Sequence, residues 1–389
     1  MTHYDLCQSD VTVEQEGQPL DLPEGVPPLG VFYLYLTTGC NLACRHCWIV
    51  PKFVDGEPSP GDCLDVDLLR EAVAEAKPLG LRSAKLTGGE PTLHPRFVEM
   101  VDMLTAEGLQ MNMETNGTLI DASLAQHLKE ETNLQFVSVS LDGACAETHD
   151  RFRGVPGAFE AALRGLGHLV DAGYRPQVIM SPHRGNISEL EDLVKLAVER
   201  GAGSVKFNPV SRAGRGIAMH ERGEALDFDE ELALIRFVRG ELQDRTPIAL
   251  TLITPPALYT VGELVRSPNV GDACAVRHIL GILGSGEMAL CGIGHTVPEL
   301  CFGHLGRDSV RQVWLEHPTL KQLRRDLDGN YPGICGQCIH AARCLTSCVV
   351  QNYVDSGRLV WPSSLCAEAA ARGLFPETRL RSWNKDGHA

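Results

Sequence analysis

Short apolar runs and longer amphipathic segments alternate along the chain from Val31 to about residue 250. The apolar runs predict strands at 31–36, 83–87, 109–114, 135–141, 176–181 and 204–209. The amphipathic segments predict helices at 66–77, 95–107, 121–131, 157–172 and 187–200. Repeated strand–helix units form a parallel sheet covered by helices. We therefore predict an α/β fold that begins with a partial (β/α)6 TIM-like barrel, whose ligands bind at the C-terminal ends of the strands.

The ends of this pattern divide the chain into three parts. Residues 1–30 are polar and rich in proline near their end, and they predict an extended lead-in. The barrel is predicted to span residues 31–255, after which the sequence Thr254-Pro-Pro-Ala interrupts the pattern. Residues 256–389 contain a second group of cysteines and are predicted to form a smaller domain.

The composition is that of a globular protein, with 43% hydrophobic and 22% charged residues in a chain of 389. Because no apolar run is long enough to cross a membrane and no signal peptide is evident, we expect a cytoplasmic protein with no membrane partner. In that reducing compartment, 14 cysteines indicate metal sites rather than disulfides. The net charge of −15 disfavours a nucleic-acid partner. The local basic cluster of Lys321, Arg324 and Arg325 is interpreted as a solvated helix face.

Three cysteines, Cys40, Cys44 and Cys47, follow the first predicted strand with the spacing C-x3-C-x2-C. Closely spaced thiolates are ligands for iron–sulfur clusters or zinc. A set of three leaves one metal position open for a ligand that the protein does not supply. The alternatives are a zinc site with a distant fourth ligand and a group of buried free cysteines.

A second loop, Lys85-Leu-Thr-Gly-Gly-Glu-Pro91, follows the second predicted strand. Its paired glycines allow a backbone to approach a ligand closely. Together with the cysteine loop one strand–helix unit earlier, this loop resembles the radical S-adenosylmethionine (radical SAM) enzymes. The resemblance implies that Cys40, Cys44 and Cys47 hold a [4Fe–4S] cluster that binds S-adenosylmethionine, and that the second loop holds the methionine amino group.

Other predicted strands also end on polar residues. By the same resemblance these residues line the ribose and the methionine carboxylate, and the backbone of the residue before Cys47 meets the adenine. The cofactor-binding set that the resemblance implies is His46, Gly88, Gly89, Glu90, Pro91, Asn116, Ser140, Asp142, Arg153 and Asn208. The alternative for several of them is a plain turn, because Asn-Gly and Asp-Gly are common turn dipeptides. Arg212 and Arg215 could hold an anion, but an exposed loop is favoured.

Seven cysteines in the last third of the chain form the pattern C-x16-C, then C-x2-C-x5-C-x3-C, then a final cysteine, with a predicted β-hairpin ending on Cys291. The pattern resembles a SPASM domain, which carries auxiliary iron–sulfur clusters. The resemblance implies one auxiliary cluster on Cys274, Cys291 and Cys348 and another on Cys335, Cys338, Cys344 and Cys366, giving three [4Fe–4S] clusters in all. The alternative is a pair of zinc knuckles.

The first auxiliary cluster lacks an obvious fourth ligand. Residues 265–273 contain no cysteine, so this cluster either has an open iron or uses Cys301. Cys7, Cys63 and Cys145 match no part of either pattern and are interpreted as ordinary thiols.

The resemblance implies a radical SAM oxidoreductase that acts on a peptide or protein, in oxidative crosslinking or related maturation of a ribosomally made peptide. Modification of porphyrin side chains in haem synthesis and residue oxidation of the sulfatase-maturing type are the enzymatic alternatives. A non-catalytic iron–sulfur electron carrier is the other alternative, although a carrier has no need of a loop that holds methionine. One expected partner is an electron donor such as ferredoxin or flavodoxin. Because 30 residues cannot hold a leader-binding module, a leader would be recognised either by a separate leader-binding protein or by the barrel's own surface. No catalytic acid or base is named.

Overall fold

A computed structural model of the chain describes Leu20 and residues 22–51, 59–266 and 275–381. The chain divides into two compact units. The first unit comprises residues up to 252 together with 277–315, and the second comprises residues 253–276 together with 316–389. The predicted boundary after residue 255 therefore differs from the structure in one respect. Residues 277–315 return to the first unit, because their strands extend its sheet.

One sheet of ten strands, counted over the described residues, forms the centre of the first unit. Its strands are β1 Val31–Tyr35, β2 Ser83–Thr87, β3 Gln110–Thr115, β4 Leu134–Ser140, β5 Gln177–Met180, β6 Ser204–Phe207, β7 Ala249–Leu252, β8 Ile279–Ile282, β9 Glu287–Ala289 and β10 Cys301–His304. The order is β10-β9-β8-β1-β2-β3-β4-β5-β6-β7. Strands β1 to β7 pair in parallel, and β8 adds in parallel to the other side of β1. Strands β8, β9 and β10 form an antiparallel meander that continues the sheet.

This arrangement confirms the predicted partial barrel, because β7 and β10 are the two ends of an open sheet. The six predicted strands agree with β1 to β6 to within two residues at each end. The predicted hairpin ending on Cys291 is also present as β8 and β9. The sequence did not indicate that this hairpin would pair with β1, since strand pairing over more than 200 residues is set by tertiary packing.

The helices of the first unit mostly lie between consecutive strands. They are α1 Val66–Ala76, α2 Phe97–Ala106, α3 Ala122–Glu130, α4 Ala146–Arg153, α5 Ala158–Asp171, α6 Leu190–Glu199, α7 Gly216–Glu221 and α8 Phe228–Arg236. One turn of π-helix, Phe237–Leu242, continues α8. Short 3-10 turns occur at Lys77–Leu79, Pro91–Leu93, Ile187–Glu189, Gln243–Arg245, Gly292–His295 and Pro298–Leu300.

The core of the first unit lies between the sheet and its helices. In β2, Ala84 and Leu86 are fully buried, whereas Ser83, Lys85 and Thr87 on the opposite face are only half-buried. This alternation places the helices against one face of the sheet and leaves polar side chains on the other. The helix starts are fixed locally, as where the Asp65 side chain accepts hydrogen bonds from the first amides of α1.

The remaining helices are short and belong mainly to the second unit. They are α9 Val261–Arg266, α10 Val310–Glu316, α11 Pro318–Leu327, α12 Gly333–Gln337, α13 Ala341–Cys344, α14 Val349–Ser356 and α15 Ser364–Ala371. Two more 3-10 turns lie at Pro256–Leu258 and Glu377–Arg379. Across the described ranges, none of the helices combines the length and the apolar character needed to span a bilayer.

Candidate functional site

The cysteine loop follows β1 and is held by the end of α4. The amides of Ala43 and Arg45 donate to the carbonyls of Arg153 and Phe152, at 2.9 and 3.0 Å. Gly154 ends α4 with a φ of +76°, and a Cβ built there would lie 2.8 Å from the Ala43 carbonyl oxygen. The C-terminus of α4 is therefore the support on which the cysteine loop rests.

The Gly-Gly-Glu-Pro loop after β2 pairs with the backbone that leads into the cysteine loop. The Gly89 amide donates to the Thr37 carbonyl and the Glu90 amide to the Gly39 carbonyl, each at 2.9 Å. A Cβ on Gly89 would lie 1.6 Å from the Gly39 carbonyl oxygen, so only glycine permits this approach. The two loops that the sequence analysis linked by resemblance are thus joined directly.

The side chain of Glu90 is engaged by the protein itself. Its fully buried carboxylate accepts hydrogen bonds from the Thr115 hydroxyl at 2.7 Å and from the Asn116 amide at 2.8 Å. The Thr92 amide and hydroxyl donate to it as well, at 3.2 and 2.6 Å. Burial raises the pKa of Glu90, while these donors favour its charged form. Glu90 therefore ties the ends of β2 and β3 together.

Asn116 extends this network to the cysteine loop. Its Nδ2 donates to the Asn41 side-chain oxygen at 2.8 Å and lies 3.8 Å from the Sγ of Cys40. The two other predicted strand-end residues, Ser140 and Asn208, are half-buried at the ends of β4 and β6. Pro91 is buried and begins the 3-10 turn after the loop.

Asp142 and Arg153 form a buried ion pair beside the second cysteine. Arg153 Nη2 lies 2.6 Å from Asp142 Oδ2, and Arg153 Nη1 donates to the Sγ of Cys44 at 3.5 Å. Asp142 also accepts from the Ser181 amide at 2.6 Å. Burial has the largest single effect and raises the pKa of Asp142, but the Arg153 guanidinium, the Ser181 amide and the neighbouring histidines together hold that pKa below its usual value. The pair places a fixed positive group next to a cysteine sulfur.

His46 lies at one end of a stack of three rings. Its ring is parallel to Phe152, with centroids 4.5 Å apart, and Phe152 stacks on His183 at 4.1 Å. Burial lowers the pKa of His46 to about 4, so the ring is neutral at pH 7. The stack joins the residue before Cys47 to the segment after β5.

Arg215 contacts the cysteine loop and does not lie in the exposed loop that the sequence favours. Its guanidinium donates to the carbonyls of Cys44 and Pro51, both at 3.1 Å, and its amide donates to the Cys47 carbonyl at 3.0 Å. The favoured exposed-loop interpretation fits Arg212, which is exposed, but not Arg215. The only sequence signal was an arginine beside a glycine, which does not reveal contact with a loop more than 160 residues away.

The three thiols of the cysteine loop suit an anionic iron–sulfur cluster. Cys40 and Cys44 are buried, and Cys47 is half-buried. Burial and the neighbouring thiol of Cys44 raise the pKa of Cys47 to about 11. A cluster bound by the three thiolates would relieve this repulsion, and the guanidiniums of Arg153 and Arg215 would balance its charge. Within the described residues, no group of three or more His, Cys, Asp and Glu side chains is placed to hold a single metal ion.

Four cysteines of the second unit surround one apolar cavity. The four are Cys335, Cys338, Cys344 and Cys366. The cavity lining also includes Pro255, Ala257, Ile334 and Phe375. Burial raises the pKa of Cys344 to about 12 and that of Cys366 to about 11. The His340 amide lies 3.4 Å from the Sγ of Cys338, a contact that favours a thiolate. These are the four residues that the resemblance groups as one auxiliary set.

The other auxiliary set is described only in part. Cys274 lies outside the described residues, as do Cys7 and most of the lead-in. Cys291 is half-buried after β9, and Cys348 is exposed before α14. Cys301 begins β10 and lies 3.6 Å from the Gly294 carbonyl oxygen. Cys63 and Cys145 belong to none of the predicted sets of cluster ligands. The ligand set of this cluster stays a prediction.

Comparison with known protein families identifies the domain that contains the two paired loops. The family model of the Radical SAM superfamily matches residues 34–197. These residues begin in β1 and include the cysteine loop, the Gly-Gly-Glu-Pro loop and α4. Residues 34–197 are a radical SAM domain. The chain therefore contains the radical SAM domain that its sequence predicted, and such a domain implies an iron–sulfur cluster and S-adenosylmethionine.

Relatives of this radical SAM enzyme match it over most of its length. An AdoMet-dependent heme synthase of Nitratidesulfovibrio vulgaris is 29% identical, over 90% of this chain and 95% of that protein. The mycofactocin maturase MftC of Mycobacterium ulcerans is 27% identical, over 88% of this chain and 89% of that protein.

Solved structures share the fold. Streptococcus suis SuiB bound to its precursor peptide SuiA has a TM-score of 0.66 at 15% identity, covering 87% of this chain and 76% of that one. Native anSMEcpe with bound AdoMet has a TM-score of 0.66 at 17% identity, covering 89% and 98%. At these identities the likeness establishes the partial barrel and no more.

Proposed function

We propose that this radical SAM enzyme removes hydrogen from a peptide, in oxidative crosslinking or related maturation of a ribosomally made precursor. The observation that carries the proposal is the direct pairing of the Gly-Gly-Glu-Pro loop with the backbone before Cys40. An electron carrier needs no such pairing, whereas a site for S-adenosylmethionine needs both loops at one place.

Cys40, Cys44 and Cys47 would hold the cluster, and the backbone of Gly88 and of the half-buried Gly89 would meet the methionine end of S-adenosylmethionine. When bound, the cluster and S-adenosylmethionine supply a 5′-deoxyadenosyl radical that abstracts hydrogen from an unactivated carbon. Of the remaining predicted contacts, Ser140 and Asn208 are half-buried and open to a ligand at the strand ends. Asp142 is fully buried and acts through Arg153.

The half-buried face of the sheet offers charged groups to a substrate. Lys85 Nζ lies 2.8 Å from Glu114 Oε1, and the same ammonium lies 5.1 Å from the ring centre of Tyr33. Lys85 and Glu114 are on neighbouring strands near the ends where the cofactor would bind. The ammonium of Lys85 would orient a polar substrate, and the carboxylate of Glu114 would accept a proton after hydrogen has been removed.

The second unit would hold the auxiliary clusters of a SPASM domain. The convergence of Cys335, Cys338, Cys344 and Cys366 on one cavity supports the second auxiliary cluster. Cys274, Cys291 and Cys348 would hold the first, with its fourth position vacant or filled by Cys301. Iron content and spectra of Cys301→Ala decide between these: loss of a cluster identifies Cys301 as the ligand, and an unchanged spectrum identifies the vacancy.

Two observations support a peptide as the substrate. The full-length relatives include maturases, among them the mycofactocin maturase, and the SuiB neighbour has a precursor peptide bound. The partners in this proposal are a precursor peptide, an external electron donor and a separate leader-binding protein.

Modification of a porphyrin is the second candidate, because the AdoMet-dependent heme synthases match this chain at 29% identity over nearly their whole length. The test is anaerobic incubation with candidate precursor peptides or with a porphyrin, S-adenosylmethionine and reductant, followed by mass spectrometry. We expect a peptide to lose a pair of hydrogen atoms in step with formation of 5′-deoxyadenosine. Turnover of the porphyrin with every peptide inert would overturn the peptide proposal.

A further inference from the structure

A left-handed turn separates two predicted cluster ligands in the second unit. Leu345, Thr346 and Ser347, between Cys344 and Cys348, have φ angles of +48°, +64° and +69°. Elsewhere in the described part of the chain, a positive φ occurs at only one other residue that is not glycine. The left-handed conformation costs free energy at each residue with a Cβ, so three such residues in succession need support from their surroundings.

The support comes from Asn352, near the start of α14. Its side chain is 1% exposed, and its Nδ2 donates to the carbonyl oxygen and to the hydroxyl of Thr346, each at 3.0 Å. Thr346 is equally buried. The backbone amide of Asn352 donates to the Cys348 carbonyl oxygen at 3.0 Å, which fixes the asparagine relative to the turn. The side chain of Asn352 therefore holds the middle residue of the left-handed turn.

The turn leaves Cys344 in the thiol-lined cavity of this unit and Cys348 outside it. Of the described residues, Cys344 and Thr346 belong to the cavity lining, whereas Cys348 does not. In a right-handed helix, two residues four positions apart would lie on the same face. The reversed hand of the turn therefore separates the two thiols, as their assignment to different predicted clusters requires.

The turn also directs two backbone amides at the Cys344 sulfur. Burial raises the pKa of the Cys344 thiol, and hydrogen bonds from the amides of Ser347 and Thr346 act against burial by stabilising the thiolate. Successive amides in a turn of this kind form a concave donor group that binds anions, and iron–sulfur sites use such groups. Hydrogen bonds to a ligand sulfur favour the reduced, more negative cluster and so raise its reduction potential.

We propose that Asn352 is a positioning residue that raises the reduction potential of the cluster on Cys335, Cys338, Cys344 and Cys366 by holding the left-handed turn. The inference rests on the proposed function, which places that cluster in the cavity. Asn352 acts through the turn. When its hydrogen bonds are lost, the two amides relax away from the Cys344 sulfur, and the reduced cluster loses two donors.

The experiment is an electron paramagnetic resonance titration of the full chain after anaerobic reconstitution. The signal of this cluster is the one that Cys335→Ser removes. Asn352→Leu keeps the size of the side chain but removes its donor, so it should shift the potential of this cluster to a lower value and leave the other clusters unchanged. Gln351→Leu makes a similar change at the neighbouring position of α14 and should titrate like the parent. Iron analysis verifies that each variant contains the cluster.

Two further variants test the turn itself. Thr346→Val removes one acceptor of Asn352, so it should shift the potential in the same direction by a smaller amount. Ser347→Gly relieves a left-handed residue without removing an amide, so its melting temperature should rise while its potential stays that of the parent. Ala367→Gly, at an exposed right-handed position of α15, should lower the melting temperature instead.

An unchanged potential in both Asn352→Leu and Thr346→Val, with the cluster present, overturns the inference. A melting temperature that falls equally in Ser347→Gly and Ala367→Gly overturns it too, because the turn would not be left-handed. If Asn352→Leu does not fold, Thr346→Val decides. A parent protein that lacks this cluster contradicts the proposed function, and this inference with it, whereas a cluster that is present at an unmoved potential contradicts this inference alone.

Discussion

Arg153 donates a hydrogen bond from Nη1 to the Sγ of Cys44 at 3.5 Å. The other end of its guanidinium is fixed by the buried carboxylate of Asp142, 2.6 Å away. A positive donor next to a thiolate stabilises the added electron of a reduced cluster, because hydrogen bonds to sulfur and nearby charge raise the reduction potential. The position of α4 thus sets both the shape and the charge of the cysteine loop.

Arg153→Met should lower the reduction potential of the N-terminal cluster, since it removes the donor and the positive charge. It should also destabilise the first unit by about 3–5 kcal/mol, because Asp142 is left buried without its partner. An electron paramagnetic resonance titration measures the potential. Arg153→Lys keeps the positive charge, so its reduction potential should lie between those of the parent and Arg153→Met. A potential that is unchanged in Arg153→Met with a full cluster would refute this role.

Gly89→Ala should separate the two loops that form the cofactor site. The added methyl group would lie 1.6 Å from the Gly39 carbonyl oxygen, so the backbone must move. A displacement of this size at a reacting centre costs about 100-fold in rate. The measurement is formation of 5′-deoxyadenosine, with Gly240→Ala as the control because that position has no atoms close to an added Cβ. Parent-like activity in Gly89→Ala would show that the pairing is dispensable.

His149 should make stability depend on pH below neutrality. Burial lowers its pKa to about 4, and its Nδ1 accepts from the Asp142 amide at 3.1 Å, which requires the neutral ring. In the unfolded chain the His149 ring takes up a proton near pH 6.5, whereas in the folded chain it does so only near pH 4. The free energy of unfolding therefore decreases as the pH falls from 6.5 to 4.

From pH 6.5 to pH 5 this loss should amount to about 2 kcal/mol for His149. Thermal unfolding at both pH values measures it. His149→Asn keeps an acceptor but cannot be protonated, so its stability should change less between the two values. Equal changes in the parent and the variant would contradict the assignment.

Cys335→Ser and Cys366→Ser should each remove about one [4Fe–4S] cluster, or about four irons per chain, because the four thiols line one cavity. Anaerobic reconstitution followed by iron analysis is the measurement. Cys145→Ser is the matched control, since that thiol is exposed and outside the cavity. Equal iron in all three variants would mean that the cavity holds no cluster.

Much of this fold could be predicted because its signals are local. Each of β1 to β6 is a short apolar run, and the spacing of Cys40, Cys44 and Cys47 is visible without any structure. Helix α4 was missed because its sequence, Ala-Glu-Thr-His-Asp-Arg-Phe-Arg, lacks an apolar stripe. It is stabilised by docking on the cysteine loop rather than by its own periodicity.

The rest depends on contacts between distant parts of the chain. The pairing of β8 with β1 and the reach of Arg215 to the Cys44 carbonyl join residues more than 150 positions apart. The resemblance implies that Glu90 lies in the cofactor loop, but it does not reveal that the Glu90 carboxylate accepts hydrogen bonds from Thr92, Thr115 and Asn116. Tertiary packing decides which groups donate hydrogen bonds to a buried carboxylate, so these donors cannot be read from the sequence.

The most direct test of the account replaces Cys40, Cys44 and Cys47 together by alanine and measures 5′-deoxyadenosine after reduction in the presence of S-adenosylmethionine. The parent enzyme, reconstituted anaerobically, should contain about three [4Fe–4S] clusters and form the product. The triple variant should contain one cluster fewer and form none. If the triple variant still releases 5′-deoxyadenosine, the cysteine loop is not the site of the chemistry.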